Sequence, residues 1–285
     1  MKNKNSGVYI HDPKQAYPDK DFAHMVIGVK AHDYVYDDKF PYRLTDKKSK
    51  FNRFIFRIVI LIIVKPFIYF RYLFRVKGRK NYRVYRRLAK RKAMITICNH
   101  TTDWDSLMIM TSRFFHFSEF PIWQEGAESK SGMMYRTAGG IVLPTTSYKG
   151  MNYAYEAMRD VLKENKWLNV FPEAACWAFY PAIRTFRKGI FKLAIEEDLP
   201  ILPMVVKYRR PNFIWRIFKK QPNATLIIGA PVVQDYSLEI NARIDDFHDR
   251  CKREMMELLG LDEKSNEELR KSLPTYHVDS APHLF

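Results

Sequence analysis

Residues 93–105 read AMITICNHTTDWD, and the change of character inside this stretch sets the reading of the chain. Ala93–Cys98 is short, apolar and rich in β-branched side chains, the signature of a buried strand. Asn99–Asp105 is polar, and the spacing of apolar residues over Asp105–Phe117 predicts a helix. Strand, polar turn and helix in succession open a βα unit. Downstream, Ile141–Pro144, Trp167–Phe171, Ile201–Tyr208 and Ala224–Ile228 read as further strands. Met151–Glu164, Gly189–Asp198 and Ile240–Leu259 read as helices. This alternation predicts an α/β fold with a mostly parallel central sheet flanked by helices.

Upstream lies Phe51–Arg75, FNRFIFRIVILIIVKPFIYFRYLFR, the most apolar part of the chain. A spanning helix needs about 20 apolar residues, and Arg57 and Lys65 interrupt this one, so a simple span is not expected. On a helical wheel Lys50, Arg53, Arg57, Lys65, Arg71 and Arg75 share one arc, with Phe, Ile, Leu, Val and Tyr on the rest. The pattern predicts an N-terminal membrane-interfacial helix whose cations reach anionic headgroups. A core helix with solvated charges is the alternative, and Pro66 is expected to kink either one.

The formal charge of the chain is +17, from 48 Lys+Arg against 31 Asp+Glu. Residues 43–92 hold 18 of the basic residues and a single acid, Asp46, so this block accounts for the whole excess. A basic block on a neutral body argues for docking on an anionic surface and against a nucleic-acid coat. With 47% apolar side chains over 285 residues, the chain can bury a core, which excludes intrinsic disorder. Cys98, Cys176 and Cys251 give neither a disulfide framework nor a Cys-x-x-Cys metal spacing. The first twenty residues hold no apolar stretch of the length a secretory signal needs, so the body is expected in the cytosol. No Gly-x-Gly-x-x-Gly, phosphate loop or Gly-x-Ser-x-Gly elbow is present, which argues against dinucleotide, nucleoside-triphosphate and serine-hydrolase chemistry.

Ligands of open α/β sheets bind beyond the carboxyl ends of the strands, so the polar cluster after Cys98 stands where chemistry is expected. His100 has the side chain suited to taking a proton near neutral pH. Asp105 is the candidate to orient it, provided His100 sits in the turn ahead of the helix, which Thr101 and Thr102 can cap. Asp103 is the rival on helical spacing. On these residues alone, a structural histidine with two capping residues remains an open reading.

Asn-His, four residues and Asp after an apolar strand resembles the first motif of the glycerolipid acyltransferase superfamily, which includes bacterial lysophosphatidic acid acyltransferases and the tafazzins. Gly140-Ile141-Val142-Leu143-Pro144 resembles its second motif, Val170-Phe171-Pro172-Glu173 its third, and Leu199-Pro200-Ile201-Leu202-Pro203-Met204 its fourth. Arg184–Gly189, RTFRKG, resembles the basic segment between the last two, and Val76-Lys77-Gly78 with Asn81 resembles the small strand and turn before the first. The likeness covers roughly residues 75–235.

That resemblance implies a glycerolipid acyltransferase-like fold and transfer of an acyl group from a thioester, acyl-CoA or acyl carrier protein, to a lysophospholipid hydroxyl. It implies His100 as general base with Asp105 as its partner, and Glu173 at the acceptor site. Arg184, Arg187 and Lys188 are expected to make phosphate contacts, with Gly140 and Thr145 marking the second motif. No metal or bound cofactor is expected, since a thiolate is a good leaving group. The sequence departs from the family at Thr145, where an arginine is usual, with Arg136 and Lys149 nearby but out of register. It departs again at Ala174-Ala175-Cys176, where glycine, then threonine or serine, is usual. These departures leave open a glycolipid or amine acceptor, or a non-catalytic lipid-binding protein. Phe114, Phe115, Phe117 and the Trp177-Phe179-Tyr180 cluster are candidates for an acyl groove. The expected organisation is an irregular leader (1–42), a basic amphipathic membrane-associating segment (43–75), a catalytic domain (76–260) and a polar C-terminal tail (261–285), docked peripherally or monotopically on the cytoplasmic face of the cell membrane.

Overall fold

The computed structural model describes residues 7–25, 34–113 and 117–279; Phe114 and Phe115 lie outside them. The leader holds a two-residue strand, β1 (Tyr17–Pro18). A helix in three parts follows: α1 (Lys47–Val59), a π-helical turn (Ile60–Val64) and α2 (Lys65–Tyr72). The chain continues through β2 (Arg75–Lys77), α3 (Asn81–Leu88), β3 (Met94–Cys98), α4 (Asp105–Thr111), β4 (Ser118–Trp123), α5 (Gln124–Glu128) and α6 (Gly132–Ala138). Next come β5 (Gly140–Leu143), α7 (Tyr148–Lys163), β6 (Trp167–Val170), α8 (Gly189–Glu196) and β7 (Ile201–Arg209). It ends with α9 (Phe213–Phe218), β8 (Asn223–Ile228), α10 (Ile240–Leu259), α11 (Glu263–Lys271) and β9 (Thr275–Tyr276).

Seven strands form one sheet in the order β2-β8-β7-β3-β6-β4-β5. All neighbours are parallel except β7 and β8. β3 is central, flanked by β6 and β7 and buried along its whole length, which is why it reads as an unbroken apolar run. β4 is a strand the apolar pattern does not announce, because it carries Glu119 and Pro121. Pro121 is tolerated past the two residues, Ser118 and Glu119, that pair with β6. The small strand before α3 is followed by Gly78, whose φ of 79° and approach to the Ile228 carbonyl leave no room for a Cβ. Asn81 then donates to the Ile228 and Gly229 carbonyls (3.0 and 2.7 Å), tying that turn to β8.

The N-terminal helix corrects the wheel reading. Arg53 is buried, and Ile60, Ile68 and Tyr72 share its inward side. Arg53 donates to Glu119 on β4 (3.0 Å) and to the Leu44 carbonyl (2.9 Å). Arg57 is half-buried over the Phe117 ring, so Phe117 lies beneath a guanidinium. Two cations of the arc therefore face the protein, while Phe51, Phe54, Ile62, Ile63 and Phe70 face outward, each more than half exposed. At the π-helical turn the Lys65 N–H reaches the Ile60 carbonyl, and Pro66, next in line, has no N–H to place. The widened turn absorbs the proline ring. No helix among the described residues is long and apolar enough to cross a membrane.

The described parts of the leader and the tail are more ordered than their composition implies. Residues 8–25 run across the body as a strap, with Tyr17 buried and β1 paired in parallel with β9. The tail forms α11, closed by an Asp262–Ser265 capping box and anchored by fully buried Leu269. Trp177 and Tyr180 pack around Tyr17 and are buried, so this part of the aromatic cluster is core rather than groove.

Candidate active site

The site begins where β3 ends. Asn99 is buried, and its carboxamide accepts from the Val206 N–H (2.8 Å) and donates to the Val206 carbonyl (3.3 Å). The side chain thus takes up the pairing to β7 that the backbone would otherwise continue. The main chain is free to turn, and His100 leaves the sheet at its carboxyl edge.

α4 begins at Asp105, so His100 sits in the turn before it, the condition under which the two meet. His100 Nδ1 lies 3.1 Å from Asp105 Oδ2. Asp105 is fully buried and also accepts from the N–H groups of Thr101 (2.5 Å) and Thr102 (2.8 Å) and from the Thr102 hydroxyl (2.9 Å). The threonine hydroxyls serve this carboxylate rather than the expected helix cap, since Trp104 at the N-cap makes no side-chain cap bond. Asp103 is exposed. With Asp105 holding Nδ1, Nε2 is the nitrogen left to exchange a proton.

The His100 ring stacks on Phe171 (4.2 Å between centroids, 14° between planes) and remains about a quarter exposed at 24%. Burial pulls its pKa down. The Cys176 sulfur and the Asp105 carboxylate outweigh that and raise it to about 10. Cys176 is the functional neighbour the sequence reading missed, having been noted only as a departure from the third motif.

Glu173 is buried, and both its oxygens are engaged. One accepts from the His100 N–H (3.0 Å) and Arg184 Nη2 (3.0 Å), the other from the Arg184 N–H (3.0 Å). The carboxylate expected to face an acceptor instead steadies the turn that carries His100. Arg184 is fully buried, donates also to the Ala175 carbonyl, and lies over the Trp177 ring at 4.3 Å. Its Nε and Nη1 have no hydrogen-bond partner among the described residues. Arg187 is half-buried with its guanidinium 3.7 Å from the Phe22 ring centroid, and Lys188 points away to Asp245 on α10 (2.5 Å). The basic segment is thus divided, with one arginine inside, one under the leader and one lysine on the surface.

Gly140 opens β5, where a Cβ would meet the Tyr135 carbonyl and Ile122. Thr145 follows the carboxyl end of the same strand, but β6 and β4 separate β5 from β3. Arg136 is spoken for, donating to the Pro41 carbonyl (2.5 Å), while Lys149 is exposed. Ala174 has φ of 59°, so the residue standing where glycine is usual does adopt the left-handed conformation, at a cost of about 1–2 kcal/mol.

The strap brings one more group to this edge. His24 stacks on Trp123 (3.6 Å, 11°). Burial, with the charges of His100 and Arg184 adding to it, lowers its pKa to about 3, so it stays neutral. Trp177 Nε1 donates to the Ala23 carbonyl (2.7 Å) beside it. Among the described residues no cluster of His, Cys, Asp and Glu is arranged to hold a metal ion. Two surface clefts, of about 300 and 360 Å³, do not include His100; the first lies at the opposite, amino edge of the sheet around Arg91 and Pro200.

A family model described as Acyltransferase matches residues 74–207, from the residue before β2 into β7. Residues 74–207 of this chain are an acyltransferase-family region. The matched acyltransferase region contains His100, Asp105, Glu173 and Arg184. Solved structures similar to the chain include the 1-acyl-sn-glycerophosphate (LPA) acyltransferase PlsC from Thermotoga maritima. It is 16% identical, with 71% of this chain and 94% of that chain covered and a TM-score of 0.41. No curated protein sequence matches the chain.

Proposed function

We propose that this acyltransferase moves a fatty acyl group from a thioester, acyl-CoA or acyl carrier protein, to the hydroxyl of a lysophospholipid, with 1-acyl-glycerol-3-phosphate as the first acceptor to test. The observation that carries the reading is the His100–Asp105 hydrogen bond at the carboxyl end of the central strand. In the proposed step His100 Nε2 takes the acceptor's hydroxyl proton as the oxygen attacks the thioester carbonyl. The C–S bond breaks, and the departing thiolate recovers the proton from the imidazolium. Asp105 holds the ring and stabilises its charged form. Glu173 and the buried Arg184 act as positioning residues. The reaction takes place at the cytoplasmic face of the cell membrane, a reading supported by the exposed apolar side of α1 and α2 and by the packing of Phe67 on Trp104 in the catalytic turn (5.3 Å).

Release of free thiol from acyl-CoA by the purified chain, across a panel of lysolipids, tests this. His100→Ala and Asp105→Ala are each expected to cut the rate by about 10²–10⁴-fold without unfolding the protein. Full activity in His100→Ala sinks the reading. A second reading, lipid binding without transfer, is favoured by the internal use of Glu173 and Arg184. It predicts vesicle binding with no thiol release for any acceptor.

A further inference from the structure

The segment joining β7 to β8 carries the most exposed apolar side chains of the described residues outside the N-terminal helix. In α9, Phe213, Ile214, Ile217 and Phe218 are 71, 65, 69 and 76% exposed, and no α9 residue is buried. The strand period of its neighbours hides it in the sequence. It is also one-sided in charge: from Leu199 to Gln234 the chain has six basic residues and no acid. Arg210, Arg216 and Lys220 are exposed, and Arg75 and Lys77 are exposed on β2, the neighbour of β8.

Its location gives the patch meaning. β7 is parallel to β3 and continues to Arg209, past Met204, the partner of Cys98. α9 therefore stands beyond the carboxyl edge, where His100 leaves the sheet, and Tyr208 just before it hydrogen-bonds Thr101 (2.7 Å). α9 is also joined to α2: Trp215 packs edge-on against Phe70 (5.8 Å), and Lys219 Nζ donates to the Arg71 carbonyl (3.0 Å). The apolar sides of the two elements are thus continuous and border the catalytic turn.

We infer that α9 is a second membrane-inserting element, which enters an anionic bilayer beside α1 and α2 and fixes the tilt of the active-site edge over the lipid surface. The inference rests on the membrane-associated reading proposed above. Apolar side chains ringed by cations suit a bilayer, which offers an apolar interior under negative headgroups. They suit a second copy of this chain poorly, because face-to-face packing would oppose Arg210, Arg216 and Lys220 to one another.

Sedimentation of the full chain with vesicles of phosphatidylcholine and phosphatidylglycerol tests it. The variant Phe213→Ser/Ile217→Ser/Phe218→Ser is expected to lower the partition coefficient about tenfold or more. Arg210→Glu/Lys220→Glu is expected to lower it on the anionic vesicles and to leave binding to pure phosphatidylcholine unchanged. Thiol release onto a short-chain, vesicle-free acceptor stays at the wild-type rate in both variants. Unchanged partition of the triple variant overturns the inference. So does a shift from dimer to monomer in sedimentation velocity with vesicle binding intact, which assigns the patch to a second copy. If the wild-type chain transfers no acyl group to any acceptor while the triple variant loses its vesicles, the transfer reading falls and the membrane element stands.

Discussion

His100 sits between two groups that favour its proton and a burial that opposes it, and the favouring groups win, raising its pKa to about 10. A base must be neutral to accept a proton, so activity is expected to climb with pH through the neutral range toward that value. Cys176 is the larger of the two favouring contributions and, unlike Asp105, is not needed to orient Nδ1. Cys176→Ala is therefore predicted to move the rising limb of the kcat/KM profile to lower pH while keeping a substantial rate. Asp105→Asn should move the limb in the same direction and lose the rate. A limb that stays in place in Cys176→Ala refutes the coupling. The stability linkage has a definite sign: a folded-state pKa above the ordinary 6.5 gives a contribution fully present below about 6.5 and lost as pH rises through about 10. Of these three residues the sequence pattern makes two legible, because His100 and Asp105 lie within one turn. Cys176 arrives from another crossover, where backbone bonds from Trp177 to the His100 carbonyl (3.1 Å) and from Phe179 to the Thr101 carbonyl (2.9 Å) bring it in.

At the scale of elements, the N-terminal helix is held by charge as much as by packing. Glu119 on β4, its side chain 1% exposed, receives Arg43 (2.5 Å) and Arg53 (3.0 Å), with Lys166 at 3.6 Å. Part of the basic block thus neutralises an acid of the body instead of facing outward. Glu119→Ala would leave two arginines buried without their shared carboxylate and is predicted to cost about 3–5 kcal/mol in urea unfolding. Glu164, which pairs with Arg43 (2.7 Å) from a side chain 45% exposed, should cost less than about 1 kcal/mol when replaced by alanine. Equal losses at the two sites would refute the assignment. Arg43, against some burial and with help from Lys166, pulls the Glu164 carboxyl down to about 2. Its contribution is present above the ordinary 4.5 and lost as pH falls through about 2. The helical wheel identifies the arc of cations correctly, but it cannot say which side of the helix meets protein. That depends on Glu119, 66 residues beyond Arg53, in a strand whose proline and buried acid disguise it.

At the scale of the molecule, the strap of residues 8–25 and the C-terminal helix α11 close over the loops that build the site. The alternating middle of the sequence makes the α/β sheet legible, since every buried strand except β4 declares itself locally. The strap and tail escape such a reading because polar composition says nothing about distant partners. Asp21 is the clearest of these: it accepts from the Thr185 hydroxyl (2.5 Å) and from Arg270 of α11 (2.9 and 3.0 Å). One carboxylate therefore joins the leader, the segment after Arg184 and the C-terminal helix. Asn266 of α11 adds reciprocal bonds to Ile183 (2.9 and 3.0 Å), next to the buried arginine. Burial works to raise the Asp21 carboxyl, but Thr185 and Arg270 prevail and hold it below its ordinary value. The clamp is thus present above the ordinary carboxylate range and released as pH falls through the depressed value. Asp21→Ala is predicted to cost about 1.5–3 kcal/mol, as loss of a charged, partly buried hydrogen-bond partner does. Because the three segments share this group, hydrogen exchange should quicken together at the Ile183 N–H, at the Ala178 N–H that donates to the Met25 sulfur of the strap (3.3 Å), and through α11, with β6 unchanged. Exchange that quickens in α11 alone would mean that the termini cover the site loops without holding them.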